Sequence, residues 1–342
     1  MKTIDIQAMN QQEIVALIET HREQPDPDIL TQARAVCDAH FGRSIYMRGL
    51  IECSNHCKND CLYCGIRRSN HHARRYRLSK QAILSCCQQG HSLGFRTFVL
   101  QGGEDPYYTD AILCDILSAI KTQYPDCAIT LSLGERSKES YQALFRAGAN
   151  RYLLRHETAN TAHYAQMHPE AMTLASRKEC LYTLREIGFQ VGAGFMVGSP
   201  YQTNAHLAED LLFLKDLQPH MVGIGPFIPH AQTPFADQSA GALPATLLMV
   251  ALVRLMLPCS LLPATTALGS ICPDGREQGI LAGANVIMPN LSPIDHRKDY
   301  SLYDNKRYTG DEAAESCARI KQQMARIGFA LSNARGDHPN FC

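Results

Sequence analysis

The residues best suited to chemistry are three cysteines in one short segment, Cys57, Cys61 and Cys64, with the spacing C-x3-C-x2-C. Thiolates are the ligands of iron–sulfur clusters, and a loop that carries three of them can wrap one face of a 4Fe-4S cubane. Three thiolates bind three of the four irons. The fourth iron is left open to a bidentate ligand, such as the amino and carboxylate groups of an amino acid. The spacing therefore predicts one 4Fe-4S cluster with one open iron.

A structural zinc site is the alternative interpretation of the same segment. Zinc prefers four ligands in a tetrahedron, and Cys53, His56, His71 or His72 could supply the fourth. Structural zinc sites more often use paired C-x2-C hooks. Cys53 also lies near the end of a predicted strand, where its side chain could point into the barrel. We therefore favour the cluster and assign Cys53 no ligand role.

The other cysteines of this chain, which has 14 in all, are scattered through apolar or helical segments. A reducing cytosol makes disulfides unfavourable, and isolated free cysteines behave as small buried apolar residues. Near the C-terminus the sequence offers only Cys317 and Cys342, which are too few for a second cluster. We predict a single cluster.

The elements that must position the cysteine loop alternate between short apolar strands and helices. Eight strands are predicted, at Tyr46–Cys53, Thr97–Leu100, Ala128–Leu133, Arg151–Leu154, Gln190–Val197, Met221–Pro226, Leu261–Thr265 and Val286–Met288. Helices with clear start and stop signals are predicted at Lys138–Ala147, Ser176–Ile187, Leu207–Leu217 and Ala245–Met256. This alternation favours parallel pairing with right-handed crossovers. The predicted fold is α/β, a closed (β/α)8 TIM-type barrel of parallel strands, with a doubly wound open sheet as the second possibility.

The chain is expected to form one domain over residues 1–342. Residues 1–44 would form an N-terminal helical extension, which begins at the capping-box sequence Asn10-Gln11-Gln12-Glu13. Residues 45–290 would form the barrel, and residues 291–342 a C-terminal helical extension.

Polar residues follow most of the predicted strands at the same end, which is where barrel enzymes place their chemistry. The cysteine loop follows the first strand, and the second strand runs into Gln101–Asp105. The remaining strands carry or end in Thr130, Ser132, Glu135, Arg155–Thr158, Met196, Pro226–His230, Thr265, Thr266 and Pro289–Asn290. Their repeated placement at one end predicts an active site there.

The charge balance excludes some classes of partner. Lys and Arg total 33 and Asp and Glu total 33, so no basic excess indicates nucleic acid or an anionic membrane. No apolar run reaches the ~20 residues that span a bilayer, and the N-terminus lacks the apolar core of a signal peptide. We expect a cytoplasmic protein that binds neither nucleic acid nor membrane.

The cysteine segment resembles the radical S-adenosylmethionine (SAM) superfamily. The shared features are C-x3-C-x2-C after the first strand, an aromatic residue, Tyr63, before the last cysteine, and Gly102-Gly103-Glu104 after the second strand. Over roughly residues 40 to 330 the chain also resembles the HydE family of FeFe-hydrogenase maturases. The segments that carry this likeness are Ile51–Arg68, Leu100–Tyr107, Thr130–Glu135, Arg151–Asn160, Gly192–Gly198, Met221–His230, Pro263–Ala267 and Ala284–Asn290. Methylornithine synthases and biotin synthases are more distant in resemblance.

The resemblance implies roles for particular residues. The cofactor SAM would be bound by Tyr63, Gly102, Gly103, Glu104, Thr130, Ser132, Glu157 and Arg177. Glu104 and the backbone of Gly102 and Gly103 would hold the methionine ammonium. Glu157 would bind the ribose hydroxyls and Arg177 the SAM carboxylate. For Arg177 a surface salt bridge is the alternative.

A second set of residues would contact the substrate. These are Arg155, Thr265, Thr266, Met196 and Met288. A buried cation needs a partner, so Arg155 should meet Glu157, another carboxylate or an anionic substrate. The threonines would bind a substrate carboxylate, although β-propensity also explains them. Packing in the core would equally explain the methionines. We expect Tyr76 to lie at the surface, and His156 is unassigned.

The resemblance implies reductive cleavage of SAM to methionine and a 5′-deoxyadenosyl radical, inside a barrel that excludes water. An electron donor such as ferredoxin or flavodoxin would reduce the cluster. The substrate would be a small or organometallic molecule, a cysteine-bearing iron precursor of the hydrogenase diiron subcluster, and other maturation proteins would be partners. The alternatives are a methylornithine-synthase-like enzyme of amino-acid metabolism and a non-catalytic zinc-binding scaffold. Sulfur insertion of the biotin-synthase kind would need ligands for a second cluster.

Overall fold

Parallel strand pairing runs through the middle of the chain in the computed structural model, which describes residues 4–306 and 313–341. The strands are Ser44–Met47 (β1), Gly49–Ser54 (β2), Thr97–Gly102 (β3), Ala128–Ser132 (β4), Arg151–Leu153 (β5), Gln190–Ala193 (β6), Met196–Val197 (β7), Met221–Val222 (β8), Gly225–Pro226 (β9), Val286–Ile287 (β10) and Ala330–Ser332 (β11). Six of them form one sheet in the order β2-β3-β4-β5-β6-β8. Strands β7 and β9 pair just beyond this sheet, in line with β6 and β8.

The sheet closes on itself through the predicted seventh and eighth strands. Met221 pairs with Leu261, and Pro263 pairs with Val286, as isolated parallel bridges. Strand β10 pairs with β1, and Leu50 bridges to Asn290. The α/β barrel prediction is therefore confirmed. The predicted strand over residues 261–265 is present only as these bridges, because its pairing partners are short.

Helices surround the barrel. They are Gln11–His21 (α1), Pro27–Phe41 (α2), Lys80–Ser92 (α3), Asp110–Gln123 (α4), Lys138–Arg146 (α5), Thr161–Met167 (α6), Leu174–Ile187 (α7), Asn204–Leu217 (α8), Leu243–Met256 (α9), Thr266–Ile271 (α10), Gly275–Leu281 (α11), Ile294–Arg297 (α12) and Ala313–Arg326 (α13). Two single 3-10 turns lie at Ile6–Ala8 and Pro339–Phe341. The capping box at Asn10 and Glu13 is present, and side chains such as Ser79 and Ser137 cap later helices. These local signals explain why the predicted helix starts agree with the structure to within a few residues.

Helix α9 is apolar apart from Thr246 and Arg254, and it is covered on every side. All positions from Ala245 to Met256 are buried. The helix packs against α2 and α8, while α1 packs against α8. The N-terminal helices thus form a second layer over one flank of the barrel. Among the described residues, no helix combines the length and apolar character that a membrane-spanning segment requires.

The C-terminal segment crosses the end of the barrel opposite the cysteine loop. Strand β11 pairs with β1, and the Asp337 carboxylate lies 2.7 Å from the fully buried guanidinium of Arg151. Cys317 lies half-buried on α13, and Cys342 lies outside the described residues. This arrangement covers the amino ends of the strands, so access to the interior comes from the carboxyl ends.

Candidate functional site

The cysteine loop follows strand β2 at the carboxyl end of the barrel. Cys57, Cys61 and Cys64 are half-buried free thiols. The Asp60 carboxylate holds the loop compact, since it accepts the backbone N–H of Ser69 at 3.0 Å and pairs with Arg67 at 2.7 Å. The loop is therefore shaped by its own polar side chains in the absence of regular secondary structure.

The Arg75 side chain binds backbone carbonyls on both sides of the same loop. Its guanidinium donates to the carbonyls of Ile66 at 2.9 Å, Arg67 at 2.6 Å and Asn70 at 3.0 Å, and also to that of Asn55. The planar guanidinium fork has several donors at fixed angles, whereas a lysine ammonium is a single point. Sequence reasoning missed this residue. The available signal was an arginine-rich stretch next to a loop with few acidic residues.

We expect Arg75→Lys to weaken the cysteine loop. A lysine retains the charge but reaches fewer of the four carbonyls, so the loss should be about 2 kcal/mol of unfolding free energy. Denaturant unfolding and iron content after anaerobic reconstitution would measure it. Arg74→Lys, at an exposed neighbouring position, is the control and should change neither. Equal behaviour of the two variants would contradict the role of Arg75.

The three thiols are spread more widely than a single metal ion requires. Sulfurs bound tetrahedrally to one zinc lie about 3.8 Å apart. Among the described residues, the only trio of His, Cys, Asp or Glu ligand atoms within 4.8 Å of one another is His91, Asp126 and Cys127, outside the loop. His56 and the exposed His71 and His72 form no such compact group of ligand atoms with the three cysteines among the described residues. This spacing suits a ligand larger than one ion.

Burial keeps the thiols protonated without a metal. Burial raises the pKa of Cys57 and of Cys61, and it raises the pKa of Cys64 to about 12. The proximity of Cys57 and Cys64 raises the pKa of Cys61 further. A metal cluster would supply the positive charge that ionises three neighbouring thiols.

Cys53 points away from this loop and from the barrel interior. Its thiol is buried and packs with Cys86 and Cys87 of helix α3. The expectation that it could point into the barrel is therefore wrong. Alternation along β2 instead turns Glu52 toward the interior, where it binds Lys306 and Asn290.

The Gly-Gly-Glu segment at the end of β3 lies directly against the cysteine loop. A side chain at Gly103 would sit 2.7 Å from the Cys57 Cβ, so only glycine permits this approach. Gly134 has a φ of +77° and leaves room for the Glu104 side chain, which a Cβ there would overlap. The Glu104 carboxylate is thereby held beside the loop.

Glu104 binds cations in this structure. Its carboxylate lies 3.2 Å from the Lys58 ammonium and 3.9 Å from the Arg177 guanidinium, and it accepts the N–H of Glu135 at 3.0 Å. An ammonium group thus fits against Glu104, which is the chemistry that the resemblance implies for a ligand amino group.

Arg177 is buried, so the surface salt-bridge alternative for it is wrong. Its guanidinium lies 2.7 Å from the Glu135 carboxylate and only 8% of the residue is exposed. Burial alone would lower the pKa of Arg177. The Tyr164 hydroxyl and the Glu135 and Glu104 carboxylates outweigh burial and raise it.

Strand β4 adds hydroxyl groups to the same region. The Thr130 Oγ1 is buried and has no hydrogen-bond partner among the described residues. Ser132, two positions further along the strand, is half-buried. A buried hydroxyl without a partner is costly, so Thr130 is suited to a ligand.

Arg155 and Glu157 form an ion pair at the end of β5, at 2.9 Å. Glu157 adopts a left-handed backbone with a φ of +64°, which costs of order 1 kcal/mol for a non-glycine residue. The Nε of Arg155 has no hydrogen-bond partner among the described residues. The ion pair is therefore held by a strained backbone, and the Nε of Arg155 remains available to bind a ligand.

His156 lies between them and fixes this strand end from behind. Its Nδ1 accepts the N–H of Gly194 at 3.3 Å, and its Nε2 lies 3.2 Å from the Asp210 Oδ1. Asp210 also accepts the N–H of Ala159. Burial lowers the pKa of His156 and raises that of Asp210. The sequence carried one signal for this pair, an aspartate at a buried position of helix α8.

The remaining candidate residues separate into two groups. Thr265 Oγ1 is buried without a partner among the described residues, and Thr266 and Met288 line a cavity of about 520 Å³. Met196 packs instead in a small cluster with Phe227 and Tyr63. The structure thus assigns Met196 to packing beside the cysteine loop.

Tyr63 is partly buried beside the cysteine loop, and burial raises its pKa. Its hydroxyl lies 3.1 Å from the His168 Nε2, and the two rings meet edge to face at 5.4 Å. His168 was not found from the sequence, because no local pattern distinguishes it. Tyr76 is also buried, contrary to expectation, and its hydroxyl donates to the Glu52 carbonyl at 2.8 Å.

Acid should destabilise the fold through His168. Burial lowers its pKa from 6.5 to about 3, so the folded state keeps it neutral while the unfolded chain takes up a proton. Its contribution is therefore full above pH 6.5 and is lost as the pH falls toward 3. At pH 5 the loss should be about 2 kcal/mol. Urea unfolding at pH 7 and pH 5 would measure it, and His168→Gln should reduce the difference; an unchanged difference would contradict this account.

Known proteins share both the motifs and the fold. A family model of the Radical SAM superfamily matches residues 51–214. Among solved structures, the FeFe-hydrogenase maturase HydG from Carboxydothermus hydrogenoformans matches with a TM-score of 0.82 and 22% identity, covering 98% of this chain and 78% of that chain. Methylornithine synthase matches with a TM-score of 0.79 and 23% identity, covering 94% and 97%. At such identities these structures establish the fold.

Curated sequences identify the family. The 3-methylornithine synthase of Methanosarcina acetivorans is 26% identical over 325 residues, which cover 94% of this chain and 91% of that protein. The FeFe hydrogenase maturase subunit HydE of Thermotoga maritima is 48% identical over 267 residues, which cover 78% of this chain and 76% of that protein. This similarity shows that the chain belongs to the HydE family of the radical SAM superfamily.

Proposed function

We propose that the protein holds one 4Fe-4S cluster on Cys57, Cys61 and Cys64 and cleaves SAM reductively. The observation that carries the proposal is the contact of Gly103 with Cys57, since it brings the Glu104 carboxylate to the cysteine loop. A group that binds ammonium then lies beside a three-thiol ligand set. That juxtaposition suits an amino acid chelated to an open iron.

The residues of the chain divide the work of binding. When bound, the cluster and SAM supply the redox chemistry that yields methionine and a 5′-deoxyadenosyl radical. Glu104 would hold the amino group, and Arg177 would orient the carboxylate. The hydroxyls of Thr130 and Ser132 and the Glu157 carboxylate would hold the nucleoside. The backbone carbonyls of Gly102 and Gly103 would help Glu104 to hold the amino group, and Tyr63 would lie beside the bound SAM.

The substrate would lie further inside the barrel. Arg155 and Thr265 have side-chain donors with no hydrogen-bond partner among the described residues. Thr266 and Met288 line the cavity of about 520 Å³, whose lining does not include Arg155 or Thr265. These groups suit the carboxylate and apolar parts of a small molecule. Similarity to HydE supports a role in assembling the diiron subcluster of FeFe hydrogenase, on a small cysteine-bearing iron precursor and together with other maturation proteins.

An external carrier such as ferredoxin or flavodoxin would supply the electron. We place the reaction in the cytoplasm, where thiols are kept reduced. The described cysteines other than the ligands, ten in all, are free as well.

A radical enzyme of amino-acid metabolism is the second candidate. The long match to 3-methylornithine synthase, which covers 94% of the chain, favours it. The nearly twofold higher identity to HydE favours the first. The wide spacing of the thiols argues against a zinc scaffold.

Anaerobic reconstitution followed by dithionite reduction tests the proposal. With SAM present, 5′-deoxyadenosine should form, and a synthetic cysteine-bound iron precursor should increase its yield more than free amino acids do. Iron and acid-labile sulfide would be measured on the same sample. Zinc without sulfide, or no 5′-deoxyadenosine, would contradict the proposal.

A further inference from the structure

The segment around the cysteine loop is strongly basic in a chain that is neutral overall. Residues 56–80 contain seven Lys or Arg and one Asp, whereas the whole chain has 33 of each sign. Charge has therefore been concentrated next to the proposed cluster. The position of each side chain decides how much of that charge reaches the surface.

Most of these cations have a close partner within the protein. Arg75 binds loop carbonyls, and the other paired cations are Lys58 with Glu104, Arg67 with Asp60, Arg77 with Asp105 and Lys80 with Asp115. Two are left. Arg68 is exposed, and its side chain has no partner among the described residues. Arg74 is 78% exposed, and its nearest carboxylate, Asp299, is 3.9 Å away.

A shallow groove of about 240 Å³ adjoins Arg74, and Arg68 follows one of its lining residues, Ile66, by two positions in the chain. Arg74 and Lys298 line its walls, and Gly65 and Ile66, the two residues after Cys64, also line it. The side chain of Lys298 is exposed and has no partner among the described residues. The groove thus reaches the backbone that directly follows a proposed cluster ligand.

Negative charge at this groove is small. Asp299 lines it, but only 9% of its side chain is exposed. Asp304, whose side chain is 43% exposed, lies 3.8 Å from His230, which lines the groove. We define the cationic patch as the exposed residues Arg68, Arg74 and Lys298, and these three cations outnumber the partly exposed carboxylate of Asp304.

We propose that the cationic patch is the docking surface for a small acidic one-electron carrier protein. This inference rests on the proposed function, which needs an electron from outside the chain. A carrier that docks on the patch approaches the cysteine loop along the short backbone path from Ile66 to Cys64. Complementary charge accelerates such encounters by ten- to a thousandfold at low ionic strength, and redox encounters use small interfaces. A patch of three cations suits that role.

The test compares two reductants on the same reconstituted holoenzyme. In the variant Arg68→Glu/Arg74→Glu, dithionite should reduce the cluster as it does in the wild type. Reduction by a photoreduced flavodoxin should slow by about tenfold or more at low salt. The wild-type rate with flavodoxin should fall as salt rises, and that of the variant should not. Stopped-flow loss of cluster absorbance gives the rate without relying on SAM cleavage.

A matched control separates this surface from overall charge. Arg146→Glu/Lys321→Glu makes the same change of charge at exposed positions on α5 and α13, and it should leave both reductions unchanged. Equal slowing in the two double variants, or none in either, would overturn the docking surface. Because Arg68→Glu/Arg74→Glu could disturb the loop, Lys298→Glu is tested as well, since Lys298 lines the groove but lies outside the cysteine-loop segment. The Lys298→Glu variant should slow cluster reduction by flavodoxin only. Equal slowing of cluster reduction by dithionite would also overturn the inference.

The outcomes also distinguish this inference from the proposed function. Absence of 5′-deoxyadenosine with every reductant would contradict the proposed function. The docking surface would still be tested, because the rates of cluster reduction are measured without SAM cleavage. A normal yield with dithionite, together with unaltered flavodoxin kinetics in the patch variants, would contradict the docking surface alone. Displacement of flavodoxin by a second copy of this chain or by RNA at equal concentration would assign the patch to that partner and overturn the inference.

Discussion

Replacing Cys61 by alanine is expected to abolish 5′-deoxyadenosine formation. Cys61 is the middle thiol of the loop, and Cys57 and Cys64 both lie close enough to raise its pKa. Without it, two thiolates would have to hold a cubane that needs three to leave a single open iron. The rate should fall by more than about 100-fold, beyond the effect of losing an outer-shell partner of a metal site. Product analysis after dithionite reduction, together with iron and sulfide content, measures it.

Cys86→Ala is the matched control for this result. Cys86 is also a buried free thiol, but it packs with Cys53 and Cys87 away from the loop. Its loss should leave iron content and product formation near wild-type levels. A Cys61→Ala enzyme that turns over normally would show that the ligand assignment is wrong, whatever Cys86→Ala does.

Glu104→Gln should weaken SAM binding by roughly 10- to 100-fold, the range expected for losing a hydrogen bond between charged groups. The substitution preserves shape and removes only the negative charge. Arg177 keeps its 2.7 Å partner Glu135, so the surrounding structure should persist. The dissociation constant would be measured by equilibrium dialysis on reconstituted protein. The change in the electron paramagnetic resonance spectrum when SAM binds the reduced cluster gives a second measurement.

The control for Glu104 is Glu139→Gln on the exposed first turn of α5. It should bind SAM as the wild type does. If Glu104→Gln also binds SAM normally while retaining its cluster, then the carboxylate does not hold the amino group. Its ion pair with Lys58 would then be purely structural.

Residues near each other in the chain were the most predictable part of this protein. The cysteine spacing, the Asn10 capping box and the strand–helix alternation are local, so their physical consequences could be read without the fold. The same holds for the polar residues at strand ends, because parallel strands in a barrel present them at one face. The glycines at 102 and 103 were identified by resemblance, and the structure adds the reason, which is the approach of Cys57.

The sequence did not predict which side chains are buried by segments that lie far away in the chain. Tyr76 was expected at the surface, but it stacks on His296 of α12 and bonds to Glu52. Arg177 is buried because Glu135 and Tyr164 enclose it. Cys53 faces helix α3 because the strand alternates and Glu52 takes the interior position. Each outcome depends on contacts between segments that no periodicity relates.

The sequence by itself therefore determined the order of strands and helices and the three thiols that suit a cluster, because those depend on local pattern and spacing. It favoured a barrel over an open sheet, and the bridges that close the barrel appear only in the tertiary structure. Only the tertiary structure decided which cations are neutralised and which are free. The Arg75 side chain binds backbone carbonyls and the Arg77 side chain pairs with Asp105. The Arg74 side chain remains exposed. The physical reason is that a side chain's charge acts through its neighbours and its solvent exposure, and both are set by chain segments far away in sequence.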